Sequence, residues 1–262
     1  MVKGHRLKMR IGLFGFGRSG KAVASILLQN EDAYLCWVIR KTKNLQHRSV
    51  SEFLGITTHE SIANQGLIFT KDEFPPKKLF DEHPVDVIID FSSASAVLSY
   101  GEEAARRGIA IVTAISKYPP ETIDFLKKLS QKTRVLWSPN ITIGINFLML
   151  AGKILKAIAP YTDIELIEEH FKNKKEVSGT AIKISETLAL PPADIKSIRV
   201  GGVVGRHEVI FGFPYQTVRL IHESIQREAF GNGALFAAKN LVDKKKGFYS
   251  MENLLIPYFN LT

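Results

Sequence analysis

Cysteine is nearly absent: Cys36 is the only one in 262 residues. One thiol cannot form an intramolecular disulfide or a paired-cysteine metal site, so a disulfide scaffold and a zinc ribbon are both excluded, and no metal is expected. Cys36 lies in an apolar run, which reads as a buried, inert thiol. Long apolar stretches are missing too. None approaches the ~20 residues of a membrane span, and the longest, over residues 143–158, is broken by Gly144, Asn146, Gly152 and Lys153. The basic first ten residues contain no apolar segment and read as a short leader rather than a signal peptide. Acidic residues are outnumbered, 26 Asp and Glu against 35 Lys and Arg, for a net charge of +9. The surplus is dispersed, with Lys244, Lys245 and Lys246 the one tight run. No reading motif or aromatic stacking array accompanies it, which speaks against a nucleic-acid partner. What these absences leave is a cytosolic globular protein with no membrane partner, long enough for two modest domains.

Strand and helix alternate through the first half. Residues 9–14, 34–39, 85–91, 109–113 and 135–137 read as short buried strands, and 19–29, 95–107 and 119–129 as helices. That order implies a doubly wound parallel sheet covered on both faces, an α/β architecture. The pattern changes after Pro139. A helix over 145–159 is followed by strands at 163–170, 197–200, 207–211 and 216–222, and by a final helix over 228–242. In the last two strands Val209 and Phe211, then Val218, Leu220 and His222, alternate onto one side. This predicts a smaller α+β domain with a mixed or antiparallel sheet that has one face open. The expected division is a dinucleotide-binding domain over 1–138, completed by 234–262, and a substrate-binding and oligomerisation domain over 139–233.

Gly15-Phe16-Gly17-Arg18-Ser19-Gly20 matches G-x-G-x-x-G between a strand and a helix, the context that motif requires. The glycines allow a tight turn, close approach of a pyrophosphate and close packing of helix on strand, while the helix N-terminus supplies N–H donors and partial positive charge. NAD-selective sites place a carboxylate about 20 residues beyond the loop. Here Arg40 stands twenty residues after Gly20, followed by Lys41. A guanidinium attracts a 2′-phosphate that a carboxylate would repel, so NADPH is the expected cofactor, with NADH possible. The alternative is that Arg40 is an ordinary surface charge.

The second cluster begins at Glu168-Glu169-His170 and runs through Lys174 to Ser178-Gly179-Thr180. It leaves a strand, crosses a basic loop and enters a helix with Ser178 as N-cap. A helix mouth, two hydroxyls and a lysine suit a carboxylate ligand. His170 can deliver a proton near neutral pH. Taken singly, His170 is a surface histidine and Ser178 a plain cap.

These blocks, with Ile89-Asp-Phe-Ser-Ser93, Pro139-Asn-Ile-Thr-Ile-Gly-Ile-Asn146, Gly205-Arg-His207, Ile221-His222, Arg227-Glu-Ala-Phe-Gly-Asn-Gly-Ala234 and Gly247-Phe-Tyr-Ser-Met251, resemble the dihydrodipicolinate reductase family almost end to end. The resemblance implies a Rossmann domain, a substrate domain that closes on it, a homotetramer, and NAD(P)H-dependent reduction of 4-hydroxy-tetrahydrodipicolinate in lysine and diaminopimelate biosynthesis. It implies His170 as proton donor, with Lys174 binding substrate and sharing the proton work. Ser178, Gly179 and Thr180 would grip a carboxylate of a small dicarboxylate. Phe91, Thr113, Ala114, Ser138 and Asn140 would lie along the cofactor. Three departures stand out: Phe171 replaces a second histidine, Glu176-Val177 replaces a longer Asp-Ala-Pro, and Ala114-Ile-Ser-Lys117 replaces a glycine-bounded strand end. They leave open a reductase of another small imino or amino acid, or a catalytically weak nucleotide-binding protein.

Overall fold

The computed structural model describes residues 8–43, 45, 47–56 and 65–259. Most of the basic leader, and the last three residues of the segment expected to complete the first domain, lie outside the described residues. Contacts divide the chain into two units. One runs to Ile141 and takes in Phe230–Leu254; the other is Thr142–Ala229 with the chain from Leu255.

In the first unit, β1 (Met9–Phe14) leads into α1 (Arg18–Leu28) and β2 (Ala33–Arg40). Next come α2 (Val50–Leu54), β3 (Leu67–Thr70), α3 (Pro76–Glu82), β4 (Val87–Asp90) and α4 (Val97–Arg106). After these follow β5 (Ala110–Thr113), α5 (Pro120–Ser130) and β6 (Arg134–Trp137). The second unit contributes α6 (Ile143–Ile158), β7 (Asp163–His170), α7 (Gly179–Thr187), β8 (Lys196–Arg199), β9 (Arg206–Phe213) and β10 (Gln216–Glu223). The chain returns through α8 (Glu228–Leu241) and ends in β11 (Gly247–Tyr249) and α9 (Met251–Leu255).

The first seven-stranded sheet has the order β11-β6-β5-β4-β1-β2-β3, and each neighbouring pair is parallel. This is the doubly wound order, and the direction of winding reverses between β1 and β4. Strands buried on both faces must be apolar throughout, and β1, β4 and β5 end in unbroken buried runs. Phe14 stacks on Tyr100 at 4.2 Å, and the Trp37 indole N–H donates to the His83 carbonyl at 3.0 Å. Cys36, expected to be buried, is half-buried on β2. Burial nevertheless pushes its thiol up to about 12, which makes it inert.

The second sheet is four-stranded and mixed, β10-β9-β7-β8, antiparallel except for β7 with β8. Its apolar face packs Leu166, Val209 and Phe211 against Ile145 and Leu148 of α6, Ala181 and Ile184 of α7, and Leu188 at the end of α7. Exposed Ile198 and Ile221 lie on the other face, where Arg206 pairs with Glu169 and Glu208, and Arg219 with Glu208. Phe259, in the segment after Leu255, stacks against Phe147 of α6.

One buried charge shapes the rim of the first sheet. Asp90, at the end of β4, is fully buried. It accepts from the Ser92 N–H (2.8 Å) and hydroxyl (2.5 Å), and from the Tyr100 hydroxyl (2.8 Å). Burial raises its pKa against those three bonds. Tyr100→Phe removes one donor and leaves Oδ2 unsatisfied, which should cost about 1–3 kcal/mol; urea unfolding of the two proteins measures it.

Candidate active site

The glycine loop sits where β1 hands over to α1. The Gly15 N–H bonds the Ile39 carbonyl at 2.9 Å, and Gly15 has φ +98°. A Cβ there would meet the Phe91 backbone at 2.6 Å, and one on Gly20 would meet the Gly15 carbonyl oxygen at 2.1 Å, so only glycine fits either place. Gly17, by contrast, faces open space. It is the N-cap of α1 and offers no side-chain cap, so the first N–H groups of that helix point at whatever binds above.

A groove of about 700 Å³ opens there, lined by Gly15, Phe16, Gly17, Arg40, Lys41 and Phe91 among others. Arg18 and Ser19 begin the helix just outside that lining, both at least partly exposed. Arg40 donates to the Thr42 hydroxyl, while its Nη1 is buried with no partner among the described residues. Lys71, at the end of β3, joins it in the groove, and so does Asp72. A buried guanidinium nitrogen awaiting an acceptor, an uncapped helix mouth and a glycine cradle together fit a dinucleotide carrying phosphate. The other cofactor residues read from the sequence do not line this groove. Thr113 is buried with its hydroxyl 2.7 Å from that of Tyr118. The Ala114 N–H bonds the Asp90 carbonyl at 3.1 Å, and the buried Ser138 hydroxyl bonds the Asn140 carbonyl at 2.5 Å.

The second cluster lies on the covered face of the mixed sheet. Alternation along β7 puts Glu168 and His170 on one side, and strand register sets Glu168 opposite His207, and His207 opposite His222. His170 Nδ1 meets Glu168 Oε2. Glu168 has no exposed surface, and its Oε1 accepts from the Ser197 hydroxyl and an Arg199 Nη2, each at 2.6 Å. Burial by itself would raise this carboxyl; the bonds from Arg199, Ser197 and His170 outweigh it and bring it down to about 2. Arg199 also donates to the carbonyls of Lys174 (2.9 Å) and Glu176 (3.0 Å), so it pins the loop that carries Lys174.

Ser178 caps α7 as expected, accepting from the N–H of Thr180 (3.2 Å) and of Ala181 (3.4 Å). Its Oγ also lies 3.0 Å from His207 Nε2. A hydroxyl has two lone pairs, and both are taken here, so its proton makes the bridge to His207. Gly179 faces open space at the helix mouth. His207 is lowered to about 4, by burial first and then by His170 and His222, and is therefore neutral at pH 7.

The models for the dihydrodipicolinate reductase N-terminus and C-terminus match residues 9–141 and 142–255. The chain belongs to the dihydrodipicolinate reductase family. It is 34% identical over 192 residues to the 4-hydroxy-tetrahydrodipicolinate reductase of Caldanaerobacter subterraneus subsp. tengcongensis, covering 65% of this chain and 76% of that one. With the reductase of the same name from Syntrophus aciditrophicus it shares 28% identity over 92% of this chain and 96% of that protein. Among solved structures, a dipicolinate-bound dihydrodipicolinate reductase from Paenisporosarcina sp. TG-14 superposes with TM-score 0.76 and 21% identity, over 94% of this chain and 99% of that one. Members of this family are NAD(P)H-dependent oxidoreductases of the lysine and diaminopimelate route, and so is this chain.

Sequence reasoning picked out His170 and Lys174 but passed over Glu168, Arg199 and His207 as functional groups, as it did Lys71. The spacing Glu-x-His inside a strand was the available signal for Glu168. Nothing local marked His207, which is 37 positions from His170 in number and 5.4 Å away between ring centroids. Phe171, at the family's second-histidine position, is 45% exposed.

The depressed His207 value makes a pH prediction. The unfolded chain binds a proton near 6.5 and the folded one near 4. Stability from this group is therefore complete above about pH 6.5 and is lost as pH falls towards 4, by at most about 3 kcal/mol. His207→Gln should flatten denaturation midpoints across that window, apart from any uniform offset.

Proposed function

We propose that this chain reduces 4-hydroxy-tetrahydrodipicolinate to tetrahydrodipicolinate, with NADPH preferred over NADH. The observation that carries the reading is the cluster in the second unit. A histidine backed by a buried carboxylate stands beside a pinned lysine loop and an open helix mouth, which is an acid next to an anion site. The dipicolinate-bound relative supports a small dicarboxylate as ligand.

When bound, the nicotinamide supplies hydride. Gly15, Gly17 and the start of α1 hold its pyrophosphate. Arg40, with Lys41 and Lys71, holds the 2′-phosphate, because a buried guanidinium nitrogen lacking an acceptor gains most from a dianion. Thr113, Ala114, Ser138 and Asn140 keep the cofactor role that the resemblance implies. Lys174 and the Gly179–Thr180 turn fix a substrate carboxylate, with Ser178 shaping that turn. His170 gives the compensating proton. The homotetramer and the cytosolic setting belong to the same proposal; exposed Ile198 and Ile221 make the outer sheet face a surface suited to assembly. A second reading, another imino acid as substrate, is favoured only by Phe171, whose exposed ring replaces a polar contact.

Loss of NADPH absorbance with freshly generated pathway substrate tests the main reading, and the same assay with a panel of other cyclic imino acids tests the second. His170→Gln should lower kcat by roughly 10²- to 10⁴-fold; undiminished turnover rejects the donor role. Arg40→Glu should weaken NADPH binding at least about tenfold while sparing NADH. Equal affinities for NADPH before and after the change would return Arg40 to the solvent-exposed charges.

A further inference from the structure

Glu168 touches no place assigned to substrate, yet it is the most completely buried charge in the second unit. Its two oxygens divide their work. Oε1 is anchored by Ser197 and Arg199, and Oε2 faces His170 Nδ1. A carboxylate below its ordinary range is acceptor-only, so the hydrogen between it and His170 sits on Nδ1. The opposite edge of the ring, Nε2, lies over Gly205, where a Cβ would come to 3.0 Å; glycine keeps that edge uncrowded.

We propose that Glu168 is the positioning residue of the proton donor: anchored by Ser197 and Arg199, it takes the Nδ1–H of His170 and leaves Nε2–H as the proton to be transferred. The same Arg199 grips the carbonyls of Lys174 and Glu176, so one guanidinium sets the acid and the lysine loop relative to each other. In the step itself Nε2–H breaks, the substrate gains that proton, and the imidazole is left as the Nδ1–H tautomer that Glu168 already accepts from. No tautomer change is then needed between turnovers. The charged and titratable groups around His170 are Glu168 on its own strand, Arg199 on β8, His207 on β9 with His222 beyond it on β10, and Lys174 in the loop. Of these, Glu168 is the acidic one.

This inference rests on His170 being the donor, and the two can be tested apart. Glu168→Gln is nearly isosteric but has one acceptor oxygen. Arg199 and Ser197 claim it, which turns the amide N–H₂ towards His170 and forces Nδ1 to accept. In ¹⁵N long-range spectra of the labelled enzyme, neutral His170 should read as Nδ1–H in the parent and as Nε2–H in Glu168→Gln. Turnover should fall at least roughly tenfold, with the basic limb of kcat/KM moved to lower pH and NADPH affinity unchanged. An unaltered tautomer and an unmoved limb would make Glu168 a structural ion pair only and overturn the proposal. If Glu168→Gln does not fold, Ser197→Ala is read instead. Losing one donor makes the carboxylate more basic, so the limb should move to higher pH; no movement, or movement down, overturns the proposal as well. If His170→Gln keeps full turnover, the donor reading fails, while the tautomer measurement still reports on Glu168.

Discussion

A carboxylate taken out of water costs several kcal/mol unless charge and hydrogen bonds replace its hydration. Glu168 meets that requirement with three side chains drawn from two neighbouring strands. Each partner is thereby fixed in turn: Ser197 to its place on β8, Arg199 across to the loop carbonyls, His170 in ring orientation. The acid, the lysine loop and the sheet edge thus share one electrostatic anchor, and the geometry of the site follows from the satisfaction of that single buried charge.

Two histidines on the same sheet face have different neighbours. His170 has an anion at Nδ1 and the Gly205 backbone beside its Nε2 edge. His207 bonds the Ser178 hydroxyl, and burial together with two nearby imidazoles holds it down near 4. In the proposed reaction the first carries the proton, while the second stays neutral and braces the cap of α7.

In the first unit the proposed phosphate site is formed without a side-chain cap. Leaving α1 uncapped keeps donors available, and Gly15 and Gly20 let loop, helix and the Phe91 wall come within van der Waals contact. Asp90 holds that wall in place through the backbone and hydroxyl of Ser92. The cation at the end of β2 then meets the groove because every parallel strand delivers its C-terminal end to the same rim.

Periodicity made the alternating first half, the change of pattern after Pro139, the glycine loop and Arg40 readable, since each is a local property of spacing. The short strands β3 and β11 were not read from the sequence; they pair along β2 and β6, which offer them an edge. Likewise His170, Lys174 and Ser178 lie within nine positions and were legible as a group. Arg199 and His207 enter the site only through strand pairing, and Lys71 reaches the groove only because β3 lies beside β2. The order of residues determined which chemistry is present and on which elements. Tertiary structure decided which distant groups share one buried charge, because hydrogen-bond satisfaction is settled by proximity in space and leaves no trace in the spacing of a single chain segment.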